Sequence, residues 1–265
     1  RDGGLVSLGI TYAPTIDSEG RLVSIVANLR DITRFREAEE LKSTFISIVS
    51  HELRTPVALI KGYVGTLRRD DAAWDPNIVR DSLAVIEDEA DRLARLIDDL
   101  LDASRLQAGA LALDQGDVLP GPLLDQSVAR VRTQSPERRV SLDRPPELPI
   151  VRGDEQRLTQ VIANLLSNAV KYSPSGGEIR VRAEVLPTEV AVCVSDEGRG
   201  IDPSDAPHVF DRFYRSPGVT RNTQGAGLGL FLAKAIVEAH GGRIWVESKA
   251  ERGARLCFSL PREGS

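Results

Sequence analysis

The chain has 265 residues, 41% of them hydrophobic, with a formal charge of −5 and a pI near 5.4. That length suits two or three modules, and the acidic balance argues against a nucleic-acid binder, because phosphate backbones demand a net basic face. No apolar run approaches the roughly 18 residues needed to cross a bilayer, so no membrane segment is expected.

The chain has no methionine, not even at position 1, and it opens in strand-like sequence. It is therefore expected to be a fragment of a longer protein lacking its N-terminal part. The runs 5–15 and 22–30 are apolar and β-branched, and Asp17-Ser18-Glu19-Gly20 between them reads as a turn joining antiparallel strands. Two strands alone are marginal, so the rest of their sheet is expected upstream.

From Thr33 the pattern becomes helical. Ile32, Phe35, Ala38, Leu41, Phe45, Ile48 and Glu52 follow at intervals of 3, 3, 3, 4, 3 and 4, a near-heptad stripe that is expected to break at the polar Glu52. A second arm, Val79, Leu83, Ile86, Ala90, Leu93, Ile97 and Leu100, alternates 4 and 3 throughout. The stretch 70–77 between them is rich in Asp and Asn, with Asp75 as N-cap and Pro76 at the first helical position. Two such helices cannot bury an apolar stripe alone, so a homodimer forming a four-helix bundle is expected over a monomeric hairpin packed on the downstream domain.

The first arm carries Ser47, His51 and Thr55 four apart on one face, with Glu52 turned about 100° from His51. Pro56 cannot donate to the carbonyl of residue 52, so the helix is expected to bend or loosen there. A neutral imidazole is a competent nucleophile, and a neighbouring carboxylate can hold the proton of its other nitrogen. Zinc is excluded by spacing, since HExxH needs histidine where Thr55 stands. A helical histidine alone is more often surface decoration, so the role of His51 depends on what the rest of the chain supplies.

Glycine and proline accumulate between 107 and 121, marking a linker or the first short strand of a new domain. A helix is expected over 122–132, strands over 139–142 and 150–152, and a long helix over 154–172 capped by Asp154. Strands over 178–186, 190–195, 243–248 and 254–260 complete a mostly antiparallel sheet with helices on one face, an α+β layered sandwich. Cys193 and Cys257 fall in two of these strands, without zinc-like spacing, and are expected to be two buried thiols in a reducing cytosol.

Three clusters of this region carry chemistry. Asn164, Asn168, Lys171 and Tyr172 share one flank of the long helix, and an amide oxygen is a suitable hard ligand for magnesium; the alternative is a pair of N-cap or surface asparagines. Asp196-Glu197-Gly198-Arg199-Gly200-Ile201 follows a strand directly, where a carboxylate can accept from an exocyclic amine and glycines let a ring approach the backbone. Gly225-Ala226-Gly227-Leu228-Gly229-Leu230 opens a helix, exposing backbone N–H groups to phosphate. A Rossmann context is absent, because no buried parallel strand leads into it.

In order, the histidine box, the asparagine box, Asp-x-Gly-x-Gly, Phe210-Asp211-Arg212-Phe213 and Gly-x-Gly-x-Gly closely resemble those of sensor histidine kinases over residues 41–261. Arg30-Asp31-Ile32-Thr33 and the preceding strands resemble the end of a PAS sensor domain. The resemblance implies a PAS stub over 1–32, a dimeric phosphoacceptor hairpin over 33–108 and an ATP-binding catalytic domain over 109–265. It implies His51 as phosphoacceptor, Glu52 as adjacent base and Thr55 as a residue for dephosphorylating a response regulator receiver domain. Asn168 would hold Mg²⁺ with Asn164 in support, Lys171 and Arg215 would contact phosphates, and Tyr172 would flank the nucleotide. Asp196 would read adenine, alongside Gly198, Gly200, Ile201 and Phe213, while Gly225, Gly227, Leu228 and Gly229 would close an ATP lid spanning 203–223. The cofactors implied are ATP and Mg²⁺, and the location cytoplasmic, with upstream membrane tethering of the full-length protein left open.

Two rivals remain at this point. Gyrase-like ATPases of the same fold carry glutamate four residues before the metal-binding asparagine as a base for water; here that position is Asn164, which cannot take a proton. A pseudokinase scaffold is disfavoured by the intact His51, Asn168, Asp196 and lid glycines.

Overall fold

The computed structural model of the chain describes residues 6–69, 74–107, 112–216, 225–247 and 253–262. The expected turn positions 70–73, the glycine at 109, lid residues 217–223 and the side chains of Ala38 and Leu41 lie outside the described part. The chain divides into two compact units, residues 1–54 and 55–265.

In the first unit, β1 (Leu8–Ile16) and β2 (Leu22–Asp31) pair antiparallel, from Leu8 opposite Asp31 to Thr15 opposite Ser24. Asp17 builds the turn: its Oδ1 accepts the N–H groups of Glu19 at 2.9 Å and Arg21 at 2.8 Å, while Gly20 takes the left-handed φ of 78° that the reversal requires. Both faces of the ribbon are exposed, Ile25 on one and its neighbour Val26 on the other each at 58%. The helix α1 (Thr33–Leu67) starts where Asp31 Oδ1 accepts the Thr33 N–H at 2.9 Å. It continues through Pro56, so the proline does not end the helix. Glu52, expected to break the apolar stripe, is instead buried at 9% exposure, whereas Phe35 is exposed.

In the second unit, α2 (Pro76–Gln107) begins as expected, with Asp75 Oδ1 accepting the Asn77 N–H at 2.7 Å and Pro76 at the first position. Its heptad positions Leu83 and Ile97 stay 54% and 45% exposed. Near its end a charged side chain, Asp102, is buried beside Ala103.

The remaining elements form a layered sandwich. A small ribbon pairs β3 (Gly116–Val118) with β5 (Val151–Gly153). The helix α3 (Pro120–Gln134) starts two residues earlier than 122, because Pro120 has no N–H to lose at a helix start. The main sheet orders β4 (Arg139–Asp143), β6 (Glu178–Val185), β7 (Glu189–Ser195), β9 (Arg255–Pro261) and β8 (Arg243–Val246). Only β4 and β6 are parallel. Against one face pack α4 (Glu155–Tyr172) and α5 (Gly229–Ala239). Leu158, Leu165 and Leu166 of α4 join Ile236 and Val237 of α5 and alternate strand residues such as Val192, Val194, Leu256 and Phe258 in one core, all at most 6% exposed. Truncating one such leucine costs about 2–5 kcal/mol.

One expectation fails in this sheet. Cys193 and Cys257 are not separate thiols: they stand directly opposite on β7 and β9, with Cα atoms 4.1 Å apart, and form a disulfide. Local sequence could not give this, because it depends on the register of two strands 64 residues apart.

Candidate functional site

The site begins with α4, whose spacing puts Leu158, Val161, Ile162, Leu165, Leu166 and Ala169 in the core and leaves Asn164, Asn168, Lys171 and Tyr172 half-buried on the flank. Asp154 caps the helix by accepting the Arg157 N–H at 3.1 Å. At the other end Arg138 Nη1 donates to the carbonyl of Ser173 at 3.0 Å and to that of Pro174. The flank therefore sits on a helix held at both ends.

The three clusters converge through their glycines. Asn164 Nδ2 donates to the Gly229 carbonyl at 3.0 Å, tying α4 to the start of α5. A Cβ at Gly225, which has φ 139°, would lie 3.0 Å from Lys171 Nζ. A Cβ at Gly198 would stand 2.5 Å from the Tyr172 carbonyl and 2.6 Å from Asp196 Oδ1. At Gly227, with φ 70°, it would meet the Phe213 and Tyr214 backbone at 2.8 Å, where the Phe213 N–H donates to the Gly227 carbonyl at 3.0 Å. Phe213 is itself left-handed (φ 64°) and buried, with Arg212 4.6 Å over its ring. A buried aromatic held at positive φ is a strained residue fixed by its surroundings.

Asp196 closes the pocket at the end of β7. Its Oδ1 accepts the N–H groups of Gly198 at 2.7 Å and Ala254 at 3.3 Å, and its own N–H donates to the Ala254 carbonyl at 2.9 Å. Burial raises its carboxyl above the ordinary range, against those two N–H donors. Oδ2 has no partner among the described residues, so one carboxylate oxygen remains to accept from a ligand. Burial likewise raises the Tyr172 hydroxyl, while the positive charges of Arg215 and Arg199 pull it down. Lys171 Nζ lies 5.0 Å from the Tyr172 ring centroid. Lys171, Arg199 and Arg215 thus put cationic charge on one side of the pocket. Gly200 takes φ 77°, and Ile201 packs against the core. Leu228 is buried, and as N-cap of α5 it supplies no side-chain hydrogen bond to the first N–H groups. Those amides stay available to an anion, the use a helix N-terminus serves with phosphates.

Of the expected lid, residues 203–216 are described and form tied turns. Asp202 Oδ1 accepts from the Ser204 N–H at 2.8 Å and its hydroxyl at 2.6 Å, and the Tyr214 hydroxyl donates to Asp205 at 2.7 Å. His51 and Glu52 stand on α1 in the first unit, the histidine exposed; Thr55, half-buried, opens the second unit. Two contributors were not singled out from sequence: Arg199, legible only as a spacer in its glycine cluster, and Arg138, whose capping partners lie more than 30 residues away.

These residues fit a purine nucleotide: an open carboxylate oxygen at Asp196, glycines that clear its approach, cations at Lys171 and Arg215, and uncapped amides at α5. Asn168 offers a hard amide oxygen of the kind that suits magnesium; no cluster of three His, Cys, Asp or Glu occurs among the described residues.

Residues 153–264 match the family described as histidine kinase-, DNA gyrase B- and HSP90-like ATPase, and residues 41–109 match the His Kinase A (phospho-acceptor) domain. The chain carries the paired domains of a sensor histidine kinase. Sensor protein SrrB of Staphylococcus aureus (strain N315) is 35% identical over 95% of this chain, and the chain spans 43% of that relative's length. Full-length ShkA, solved with AMPPNP, superposes with TM-score 0.60 at 26% identity, covering 82% of this chain and 45% of that one. Histidine kinase ThkA, solved with the response regulator TrrA, shares the fold at TM-score 0.59 and 22% identity over 96% of this chain and 74% of that one. The two matches place a helical phospho-acceptor domain ahead of an ATPase-family domain. No helix among the described residues is long and apolar enough to cross a membrane.

Proposed function

We propose that the chain autophosphorylates His51 from Mg-ATP and passes the phosphoryl group to an aspartate of a response regulator, with Thr55 serving the reverse dephosphorylation. The observation that carries this is at Asn164. Its amide nitrogen is engaged with the Gly229 carbonyl, and an amide cannot take a proton from water. The pocket accordingly binds nucleotide without a base at that position, and the nucleophile has to come from elsewhere in the protein.

In this reading Asp196 accepts from the adenine amine, while Lys171, Arg215 and the α5 amides orient the phosphates. Magnesium, held by Asn168 with Asn164 in support, would neutralise charge on the phosphates. A nitrogen lone pair of His51 attacks the γ-phosphorus, the bond to the bridging oxygen breaks, and ADP leaves with that electron pair. Glu52 holds the proton on the other ring nitrogen. Catalysis rests on positioning and charge.

Dimerisation through the exposed heptad positions of α2, and sensing through a PAS-type sheet to which β1 and β2 belong, complete the proposal, as do the domain limits 1–32, 33–108 and 109–265 and a cytoplasmic location. ShkA's complex with AMPPNP and ThkA's with TrrA support the nucleotide and the partner class. The test is incubation with γ-labelled ATP and magnesium. Acid-labile, base-stable label is expected on the wild type and absent from His51→Gln; label persisting in that variant refutes the nucleophile. Steady phosphate release without labelled protein favours the ATPase reading.

A further inference from the structure

We propose that the Cys193–Cys257 bond is a redox-modification site on the face of the ATP-binding sheet opposite its helix-packed core, exchanging with dithiols, and that its state sets how firmly β7 and β9 hold Asp196. Directly paired residues share a face, and the registers line up Arg182, Cys193, Cys257 and Trp245 across β6, β7, β9 and β8. Val192, Val194, Leu256 and Phe258 occupy the opposite face, in the core. The disulfide therefore lies outside that core, under surface side chains. Arg182 is 53% exposed, and Trp245 is tied by its Nε1 to Glu247 at 2.7 Å. Side chains of this kind change rotamer in picoseconds to nanoseconds when exposed, which opens a path to a sulfur that is covered on average. Cys193 keeps 7% exposure and Cys257 none, so Cys193 is the sulfur attacked; the Arg182 opposite it is paired with Glu184 at 2.9 Å and Asp143 at 3.6 Å.

The bond stands close to the pocket. Cys193 opposite Cys257 is followed by Val194 opposite Leu256 and Ser195 opposite Arg255, and then by the mutual hydrogen bonds of Asp196 and Ala254. Gly253, at φ 81°, packs directly on the Asp196 backbone. A covalent tie three residues from Asp196 limits how far the two strand ends can part. In a reducing compartment disulfides are mostly transient and redox-sensing, and the cytoplasmic reading places this pair there. The chain has two cysteines and no methionine, so this pair is its whole sulfur chemistry.

The step balances as thiol–disulfide exchange. A thiolate of the dithiol attacks Cys193 Sγ; the S–S bond breaks, and Cys257 leaves with the electron pair and takes a proton. The second thiol of the reagent attacks the mixed disulfide and releases Cys193, which takes the other proton. The reagent departs as its disulfide, two electrons poorer, and an oxidised dithiol reverses the sequence.

The effect on nucleotide rests on reading Asp196 as the adenine contact, and the experiment separates the two. The native chain is treated with dithiothreitol, tagged with a maleimide and weighed, while amide exchange at Asp196 and Ala254 and affinity for a fluorescent ATP analogue are followed. Expected are no tags before reduction and two after it, several-fold faster exchange at both amides and several-fold weaker nucleotide binding, restored by oxidised dithiothreitol. The Cys193→Ala, Cys257→Ala double variant should match the reduced form and ignore the reagent. Tags that appear only after denaturation overturn the proposal, as do two tags with unchanged exchange. Faster exchange in a chain that binds no nucleotide in either state supports the proposal and sinks the reading of the pocket instead.

Discussion

The sharpest energetic prediction concerns the link between the end of α2 and the start of α4. Asp102, whose side chain is 9% exposed, accepts hydrogen bonds from Arg157 Nη1 and, at 3.2 Å, from Gln160 Nε2. Arg157, 21% exposed, also donates to Gln160 Oε1 at 3.0 Å. Arg157→Ala leaves the carboxylate buried with only Gln160 and, at 3.9 Å, Arg105. Removing one partner of a buried pair costs about 3–5 kcal/mol, and the two residual partners reduce this to about 2–3 kcal/mol. Asp102→Ala should cost a similar amount, and the double variant little more than either single, a coupling of about 2 kcal/mol. Urea unfolding checks this with the two tryptophans as reporters, Trp74 before α2 and Trp245 on β8. Single-variant effects that add to within about 0.5 kcal/mol would refute the reasoning, because that is the behaviour of independent sites.

The same cluster predicts a pH effect. Burial, helped by the neighbouring Asp102 charge, raises Asp99 from 3.8 to about 6. A folded value above the unfolded one means that this carboxyl's contribution to stability is full below 3.8 and lost as pH rises through about 6. Asp99→Asn should therefore stabilise the chain at pH 7.5, by up to about 3 kcal/mol at about 1.4 kcal/mol per pKa unit, and hardly at all near pH 4; equal shifts in melting temperature at both pH values would contradict this. In the pocket, Gly198→Ala drives a Cβ against the Tyr172 carbonyl and Asp196 Oδ1. It should weaken binding of a fluorescent ATP analogue about tenfold, a loss of about 1.4 kcal/mol; unchanged affinity would show that the glycine has no role at the site.

Much of this was legible in the sequence because it is local. The 3–4 rhythm of 79–100 marks α2, the Asp-Pro pair at 75–76 its start, and the polar flank of 164–172 follows from helical spacing alone. The glycines at 198 and 225–229 signalled close approach, and the structure supplies what they approach: Tyr172, Lys171, Phe213 and Asn164. What stayed hidden depends on long-range pairing. The cysteine bond needs the register of β7 on β9, the cap from Arg138 needs a loop brought to the far end of α4, and Asp102 reads as a solvated helix position until Arg157 is set against it. Glu52 was misjudged for a related reason: polarity suggests exposure, yet the side chain is buried.

The double anchoring of α4 has a consequence for precision. Helix ends ordinarily fray, and a frayed turn blurs the spacing of whatever it carries. Here Asp154 fixes the first turn and Arg138 the carbonyls just past the last, so the helix serves as a ruler whose graduations do not slip. Seven residues separate Asn164 from Lys171, about 10 Å at about 1.5 Å per residue. An amide and an ammonium mounted on that ruler keep their separation whether or not anything lies between them.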